Sequence, residues 1–315
     1  MEEYGRLESE KLVKINKHPH LPIYNINYTP RANFKKGKWS SELLIARGLV
    51  VDEYGTIIGR PIPKFFNDYE VTPPNGGYGD YGDFEVTEKM DGSLIIMSFY
   101  RGGVIFSTRG SFTSEQAVKA KEIYEEKYSD IEIDVEFTYC FEVIYPKNRI
   151  VVDYGAEEDL ILLAKINTKT GEEVDDVCFR QVVKYDLTYS EMKAMDLENK
   201  EGFVVRFMKD NYRIKVKFES YIFLHKNRTI SRDQILKQMK NGGLDVLNEC
   251  LDDVKDIVDN LNLEYTNLED EILKQYENLA EDNIIEKIRE SVLSKIMFSM
   301  HNGKKYDKLI WNLIK

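Results

Sequence analysis

Residues 85–99 read EVTEKMDGSLIIMSF and set a lysine, Lys89, between two runs of strand character. Apolar and polar residues alternate before the lysine, and an apolar run follows at 94–99. The segment between them, Met90 to Ser93, contains an Asp-Gly pair of the kind that closes a tight hairpin. The stretch therefore predicts a β-hairpin with Lys89 at the end of its first strand. A lysine in that position is usually solvated, so this stretch alone does not indicate a nucleophile.

Similar patterns continue on both sides of the predicted hairpin. Residues 43–69 alternate short apolar runs with Gly and Pro, as strands and turns do. Residues 73–83 are rich in Gly and Pro without periodicity, which predicts a surface loop, and one helix is predicted at about 114–128. Further strands are predicted at 94–100, 104–110, 139–145, 149–154, 160–166, 202–207 and 213–218. This order predicts an α+β domain of antiparallel sheets with flanking helices.

The character of the sequence changes after residue 228. Ser231 and Thr266 begin the capping-box sequences SRDQ and TNLE, which predict two helix N-termini. Residues 244–261 and 284–300 carry apolar residues at spacings of three and four, as amphipathic helices do. The segment 229–315 contains 12 Lys and Arg against 17 Asp and Glu. We therefore expect two domains, an α+β domain at 1–228 and a small, acidic all-α domain at 229–315.

Composition narrows the class of protein. The chain of 315 residues is 42% hydrophobic and 31% charged, which is typical of a soluble globular protein. No apolar run approaches the roughly 20 residues of a membrane span, and the acidic N-terminus does not resemble a secretory signal. A cytoplasmic location is therefore expected. The net charge of −11 argues against a surface that binds nucleic acid everywhere, and the three cysteines lack metal or disulfide spacing.

Four charged residues late in the α+β region are candidates for chemistry. In RIKVKF, residues 213–218, alternation places Lys215 and Lys217 on one strand face, about 6.6 Å apart. Such a pair suits either a solvated face or a polyphosphate clamp. Glu142 lies in an apolar strand, and Glu201 precedes a glycine at the head of another. A buried carboxylate needs a cation, a hydroxyl group or a metal, whereas a strand face open to water would need none.

Cations next to aromatic residues occur earlier in the chain. They are Arg47 in ARGLVVDE, Lys64 with Phe65 and Phe66 in PKFFN, and Arg109 in STRGSF. Cationic groups bind phosphate oxygens and aromatic faces stack on bases. This composition therefore suits a nucleotide site, although it also describes many ordinary surface corners.

Taken in order, these motifs resemble the covalent nucleotidyltransferase superfamily, which includes DNA ligases, RNA ligases and capping enzymes. ARGLVVDE, PKFFN, EKMDGSL, STRGSF, FEVIYPKNRIVVDY, EGFVV and KVKFESY together are similar to the bacteriophage-type RNA ligase 1 family. The resemblance covers about residues 40–225. It implies that 1–228 is a nucleotidyltransferase domain and 229–315 a helical C-terminal domain, and that the activity is that of an ATP-dependent RNA ligase.

The resemblance also implies a role for each matching residue. Lys89 is the expected nucleophile, which attacks the α-phosphate of ATP and carries AMP as a phosphoramidate. The expected catalytic residues are Lys89, Glu201, Lys215 and Lys217. The expected nucleotide-binding residues are Arg47, Lys64, Phe66, Glu88, Lys89, Gly92, Arg109, Glu142, Glu201, Lys215 and Lys217. Among them, Glu142 is expected to bind the ribose. Lys215 and Lys217, the lysines of the KxK motif, are expected to bind the α-phosphate. Arg47, Lys64 and Arg109 are expected to bind the outer phosphates.

The proposed lysyl-AMP chemistry also implies a lowered pKa for Lys89 and a bound metal ion. The pKa of an ordinary lysine is about 10.4, so little free amine exists at neutral pH. The surrounding cations are expected to lower the pKa of Lys89 while they bind the phosphates. Glu142 and Glu201 are expected to hold Mg²⁺, in part through water, and Mn²⁺ can substitute, because the candidate ligands are oxygen atoms. His18 and His20 lack a third ligand nearby and are not expected to bind metal.

The implied reaction joins the 5′-phosphate and 3′-hydroxyl ends of single-stranded RNA, in RNA or transfer RNA repair. The sequence holds no GxxxxGK[ST] phosphate loop, so an attached polynucleotide kinase module is not expected. The expected enzyme is a monomer, and functional pairing with a separate end-healing kinase or phosphatase is the corresponding expectation for its partners. A nick-sealing RNA or DNA ligase and an inactive nucleic-acid-binding relative are the alternatives. Nick-sealing relatives usually carry an OB-fold domain after the KxK strand, whereas helical patterns follow it here.

Overall fold

The computed structural model describes residues 2–34, 39–71, 83–176, 178–228, 232–240, 252–279 and 283–314. The chain divides into two units, residues 1–221 and 222–315. This division falls within the helix Glu219–Arg228, and the boundary predicted after residue 228 lies at the last residue of that helix. Most of the predicted loop at 73–83 and the predicted helix cap at Ser231 lie outside the described residues.

Three sheets form the first unit. The strands are β1 (Val13–Lys17), β2 (Ile23–Tyr28), β3 (Arg47–Asp52), β4 (Ile57–Gly59), β5 (Phe66–Asn67), β6 (Phe84–Glu88), β7 (Ser93–Tyr100), β8 (Gly103–Ser107), β9 (Phe137–Ile144), β10 (Asp159–Asn167), β11 (Glu173–Val174), β12 (Lys184–Tyr185), β13 (Gly202–Phe207) and β14 (Tyr212–Lys217). The first sheet has the order β1-β2-β3-β4, the second β11-β10-β9-β7-β8, and the third β12-β6-β13-β14-β5. Only β5 and β14 pair in parallel among these strands. The predicted α+β architecture of antiparallel sheets is confirmed.

Ten helices are described. They are α1 (Glu2–Ser9), α2 (Ser41–Ile45), α3 (Glu115–Lys127), α4 (Tyr189–Ala194), α5 (Glu219–Arg228), α6 (Arg232–Lys240), α7 (Asp252–Glu277), α8 (Ile284–Glu290), α9 (Ser294–His301) and α10 (Asp307–Trp311). The prediction of a helix at 114–128 is confirmed, since α3 begins where the Ser114 hydroxyl accepts the Ala117 amide. Among the described residues, none of the helices has the length and apolarity that crossing a membrane requires.

The second sheet is covered on both faces, and this explains why β7 and β9 are nearly continuous apolar runs. One face packs against α3 through Ile95 and Phe141 of the sheet and Ala120 of the helix. The opposite face carries Leu94, which pairs directly with Glu142 of β9. Alternation along β9 therefore places the Glu142 carboxylate on the face away from α3.

The predicted hairpin at 85–99 is wrong. β6 pairs with β12 and β13 in the third sheet, whereas β7 pairs with β8 and β9 in the second. Residues 89–92 therefore connect two sheets and do not close a turn between paired strands. Gly92 allows this connection to approach β9, because a Cβ there would lie 2.5 Å from the Val143 carbonyl oxygen.

The predicted strand at 149–154 is also wrong. The amides of Val151 and Val152 donate to Oδ2 of Asp91, at 2.7 and 2.8 Å, and so are not available to a strand partner. These residues form an irregular segment instead. The apolar side chains of Val151 and Val152 are nevertheless buried, which is why the segment has the composition of a strand.

The described residues of the second unit are helical, as predicted, but two helix boundaries differ. Thr266 does not begin a helix. It lies inside α7, where its hydroxyl donates to the Asn262 carbonyl, a contact that a helix interior tolerates. The pattern at 284–300 forms two helices, α8 and α9, because the chain turns at Ser291, whose hydroxyl accepts the Leu293 amide.

Candidate active site

The Glu201 carboxylate lies between two lysines. Its Oε2 is 2.8 Å from Lys89 Nζ and its Oε1 is 2.7 Å from Lys217 Nζ, and the glutamate side chain is only 3% exposed. Backbone pairing creates this arrangement, because the Lys89 amide donates to the Gly202 carbonyl and Gly202 pairs with Lys217 across β13 and β14. One buried anion therefore links the lysine after β6 to the lysine at the end of β14.

Gly202 is required for this close approach. Its φ is +141°, and a Cβ there would lie 2.1 Å from the Val216 carbonyl oxygen. Only glycine fits both the backbone conformation and the space. The glycine that follows Glu201 in EGFVV thus allows the head of β13 to sit directly against β14.

The pKa of Lys89 is raised, which contradicts the expectation that surrounding cations lower it. Burial does lower the pKa of this lysine, but the charge and hydrogen bond of Glu201, with the charges of Glu142 and Asp91, outweigh burial. Without a nucleotide, Lys89 is therefore held as an ammonium ion by its carboxylate neighbours.

Lys215 is the lysine whose pKa is lowered. Burial is the main cause, and the charges of Lys89, Arg47, Lys64 and Lys217 add to it, so that the pKa falls to about 7. The two KxK lysines share one strand face, as predicted, since Ile214 and Val216 are buried on the other. The two lysines therefore share a strand face but differ in their surroundings. Lys217 is paired with a carboxylate, whereas Lys215 lies among cations.

Glu142 has the opposite perturbation. Burial raises the pKa of this carboxyl group to about 7, although the charges of Lys89 and Arg47 act to lower it. Its Oε1 accepts the Gly92 amide at 3.0 Å, so the glutamate fixes the connection that carries Lys89. The sequence left open whether this carboxylate has partners or faces water, and in the structure it is partly buried and faces a backbone donor and neighbouring cations.

Asp91 accepts hydrogen bonds from distant segments of the chain, whereas the sequence analysis interpreted it only as a turn residue. Besides the amides of Val151 and Val152, it accepts the Tyr221 hydroxyl on Oδ1 at 2.7 Å. The Tyr221 ring lies 4.9 Å from Lys217 Nζ. The aspartate after Lys89 and the tyrosine at the end of KVKFESY thus hold the two lysine-bearing segments together.

The predicted outer cations come from three separate segments. Arg47 begins β3, and its guanidinium lies 5.4 Å from the Phe65 ring. Lys215 Nζ lies 5.0 Å from the same ring. The predicted aromatic, Phe66, instead lies 4.6 Å from Lys64 Nζ. The ring between Arg47 and Lys215 is therefore that of Phe65, which sequence reasoning passed over because both phenylalanines are adjacent.

Two cavities share the residues Arg47, Lys89 and Glu142 in their walls. The outer cavity, of about 480 Å³, is also lined by Arg109 and Gly92. The apolar part of the inner wall is formed by Ile62, Phe65, Met90, Leu163, Val182 and Val204. A cationic outer cavity beside a partly apolar inner one suits a ligand with a polyanionic end and a planar end, as a nucleoside triphosphate has.

A family model described as RNA ligase matches residues 45–223, which is more than half of the chain. The chain belongs to this RNA ligase family. The match contains every residue that the sequence analysis assigned to the nucleotide site.

Curated relatives agree with membership in the RNA ligase family. A candidate bifunctional polynucleotide kinase/RNA ligase of Autographa californica nuclear polyhedrosis virus is 27% identical over 248 residues, which are 69% of this chain and 35% of that protein. A candidate RNA ligase of Thermovibrio ammonificans is 27% identical over 169 residues, 48% of this chain and 44% of that protein. The chain thus spans less than half the length of either relative.

Two solved structures are similar to parts of this RNA ligase family member. One is a candidate ATP-dependent DNA ligase from Aquifex aeolicus, with a TM-score of 0.49 and 16% identity, covering 74% of this chain and 66% of that one. The other is a mutant of the Naegleria gruberi RNA ligase with ATP and Mn, with a TM-score of 0.35 and 17% identity, covering 45% and 51%.

Glu88, directly before Lys89, lies in the inner wall of the RNA ligase family site. Its two carboxylate oxygens are 2.7 and 2.8 Å from Lys200 Nζ, and Oε2 also accepts the Tyr185 hydroxyl. The carboxylate is therefore held by a hydrogen bond from Tyr185 of β12 and by the charge of Lys200, which lies in the segment before β13. Its predicted contact with the nucleotide stays a prediction.

The donor set of this family member fits a hard cation held mainly by its substrate. Within the described residues no group of three His, Cys, Asp or Glu side chains is placed to hold a metal. Glu142 and Glu201 do offer carboxylate oxygens, but both oxygens of Glu201 already face lysines. Mg²⁺ commonly uses one or two carboxylates together with phosphate oxygens and water, which is what such a site can supply. Nδ1 of His18 accepts the amides of His20 and Leu21.

Proposed function

We propose that this protein is an ATP-dependent RNA ligase that joins 5′-phosphate and 3′-hydroxyl ends through a covalent lysyl-AMP. The observation that carries the proposal is the buried Glu201 carboxylate between Lys89 and Lys217, in a cleft that Arg47 and Lys215 make cationic. Membership in the RNA ligase family supports it. The activity of the whole protein is part of the proposal, because the chain covers less than half of its curated relatives.

In the first step Lys89 Nζ attacks the α-phosphorus of ATP. A P–N bond forms, the bond from the α-phosphorus to the bridging oxygen breaks, and pyrophosphate leaves. Lys89 must first lose a proton, and Glu201 Oε2, at 2.8 Å, is placed to accept it. We assign to Lys215 and Lys217 the role of stabilising the charge that develops on the α-phosphate.

The later steps use the same residues. A 5′-phosphate oxygen of RNA attacks the phosphorus of the lysyl-AMP, the P–N bond breaks, and Lys89 takes up a proton. The oxygen of a 3′-hydroxyl group then attacks the activated 5′-phosphate and forms the phosphodiester bond. The bond from that phosphorus to the oxygen of AMP breaks, AMP leaves, and the hydroxyl proton passes to solvent. When bound, Mg²⁺ or Mn²⁺ would neutralise phosphate charge, and Glu142 and Glu201 are the carboxylates that would hold it, in part through water.

Self-adenylylation tests this proposal. Wild type, Lys89→Ala and the control Lys121→Ala are incubated with Mg²⁺ and ATP labelled at the α-phosphate, and then separated by denaturing electrophoresis. Lys121 is a suitable control because it is an exposed lysine on α3. We expect label on wild type and Lys121→Ala, and none on Lys89→Ala. Label that persists on Lys89→Ala would refute the assignment of the nucleophile.

We propose single-stranded RNA as the substrate, in RNA or transfer RNA repair. The described residues after the KxK strand are helical, which favours this over the nick-sealing relatives that carry an OB-fold there. Circularisation of a 5′-phosphorylated single strand, beside sealing of a nicked duplex, separates the two. Sealing of the duplex alone would refute single-strand specificity.

A separate end-healing enzyme completes the proposal, with this chain acting as a monomer in the cytoplasm. The name of the baculovirus relative combines a polynucleotide kinase with an RNA ligase, which supports functional pairing of the two activities. RNA with a 5′-hydroxyl end should therefore be sealed only after treatment with a polynucleotide kinase. Sealing without that treatment would contradict the pairing.

A further inference from the structure

Tyr28 contacts Lys64 and Arg109, two of the three cations that were predicted to bind the outer phosphates, and Arg109 also lines the outer cavity. Its hydroxyl accepts a hydrogen bond from Arg109 Nη1 at 3.2 Å, and its ring lies 5.7 Å from the Arg109 guanidinium carbon. The same ring lies 5.4 Å from Lys64 Nζ. Lys64 follows β4 and Arg109 follows β8, so one side chain at the end of β2 connects two distant segments.

Two more rings complete an aromatic cluster around Lys64. Trp39 lies 5.1 Å and Phe66 lies 4.6 Å from Lys64 Nζ. Trp39 also packs at a right angle against Tyr28, with ring centroids 5.1 Å apart. Three ring faces therefore surround the ammonium group, and the preference of cations for such faces restricts where this long side chain can go.

The backbone around Tyr28 is fixed independently of its side chain. The Tyr28 amide donates to the Ala46 carbonyl at 2.6 Å, and the preceding residue, Asn27, pairs directly with Arg47 across β2 and β3. Asn27 also lines the outer cavity together with Arg47, Lys89 and Arg109. Because the first sheet holds this backbone, a change in the Tyr28 side chain should leave the strand in place.

The segment that carries Arg109 is also tied to the first sheet. The Asn25 amide group donates to the Thr108 carbonyl at 2.9 Å, and the Asn16 amide group donates to the Gly110 carbonyl at 3.0 Å. These bonds fix the backbone on both sides of Arg109 and leave its side chain to be directed by Tyr28. The position of the guanidinium is therefore set by a residue that does not need to touch the substrate.

We propose that Tyr28 is a positioning residue that holds Lys64 and Arg109 for the β- and γ-phosphates of ATP. This rests on the proposed function. The α-phosphate must lie against Lys89, and the leaving pyrophosphate departs on the side away from that lysine. Cations that have been oriented before binding lose less side-chain freedom when the outer phosphates arrive. Tyr28 therefore assists nucleotide binding and pyrophosphate departure, and it has no part in sealing RNA that is already adenylylated.

Two variants separate the parts of this role. Tyr28→Phe removes only the hydroxyl that accepts from Arg109, whereas Tyr28→Leu also removes the ring that faces Lys64. Tyr54→Leu is the matched control, because Tyr54 is an exposed tyrosine, at 83%. We expect the KM for ATP in self-adenylylation to rise by roughly threefold in Tyr28→Phe and roughly tenfold in Tyr28→Leu. We expect sealing of a pre-adenylylated RNA without ATP to be unchanged in both.

A binding measurement tests the positioning role of Tyr28 independently of catalysis. Calorimetry compares the affinity of each variant for AMP and for α,β-methylene-ATP, which carries the outer phosphates but cannot react. We expect Tyr28→Leu to weaken the analogue by roughly tenfold and AMP by less than about twofold. Equal weakening of both ligands, or equal loss of adenylylation and sealing, would show a merely structural role and overturn the proposal. If wild type binds the analogue yet forms no covalent adduct when it is given ATP and Mg²⁺, the proposed function fails while the comparison of the two ligands still tests Tyr28.

Discussion

ATP binding should weaken as the pH rises above neutrality, and Lys215 should be the cause. Burial and the charges of Lys89, Arg47, Lys64 and Lys217 lower the pKa of Lys215 to about 7. Below this pH the lysine of the free protein is charged, and above it the neutral amine predominates. A bound phosphate favours the ammonium form, so binding above pH 7 must take up a proton from solvent.

Proton linkage sets the size of the effect. Each pH unit above the pKa of free Lys215 should weaken binding by up to about tenfold, or about 1.4 kcal/mol, until the pH reaches the raised pKa of the complex. Below about pH 6 this contribution should vanish, because the free lysine is already charged. Glu142, whose pKa is also raised to about 7, loses its proton over the same range and adds a negative charge that also opposes the anion.

Calorimetric titration with α,β-methylene-ATP between pH 6 and 9 measures this dependence. Lys215→Arg keeps a cation at every pH and should flatten the dependence, whereas Glu142→Gln removes the second titrating group and should leave the Lys215 part intact. Titration in buffers of different ionisation enthalpy counts the protons taken up. A Lys215→Arg variant with the same pH dependence as wild type would refute the reasoning.

Four further substitutions test the residues that support the site. Gly202→Ala should lower the free energy of unfolding by ~1–3 kcal/mol in urea denaturation, because the new methyl group would lie 2.1 Å from the Val216 carbonyl oxygen; an unchanged midpoint would contradict this. Asp91→Ala should lower the free energy of unfolding by about 3 kcal/mol and Tyr221→Phe by about 1 kcal/mol, because the first removes an acceptor of three hydrogen bonds and the second only one donor; equal losses would argue against it. Glu201→Gln should slow single-turnover adenylylation at least ~100-fold without weakening the binding of ATP, and an unaffected rate would exclude its role at the nucleophile.

The sequence contained enough local information to predict which faces of the strands matter. Alternation at 213–218 predicted that Lys215 and Lys217 share a face. The apolar neighbours of Glu142 singled out its carboxylate, although they did not decide between a partnered carboxylate and one open to water. That these residues lie in one cleft with Lys89 and Glu201 followed from the family resemblance. Local sequence patterns cannot predict that these residues lie together, because their proximity depends on strand pairing between distant parts of the chain.

The errors have the same origin. β6 and β7 are adjacent in sequence and look like a hairpin, yet their partners in pairing, β13 and β9, belong to different sheets. Residues 149–154 look like a strand because Val151 and Val152 are buried, but the Asp91 carboxylate takes their amides. The pKa of Lys89 was expected to be lowered by the surrounding cations, whereas burial, which does lower it, is outweighed by the carboxylate of Glu201 2.8 Å away. In each case a long-range contact overrides a local signal.

Peptide mapping of the adenylylated protein tests the central claim most directly. Wild-type protein is incubated with ATP and Mg²⁺ and digested, and the peptide that carries AMP is located and sequenced by mass spectrometry. We predict a single AMP group on the side chain of Lys89. AMP on Lys215 or Lys217, or a wild-type protein that binds ATP but carries no AMP, would contradict the account.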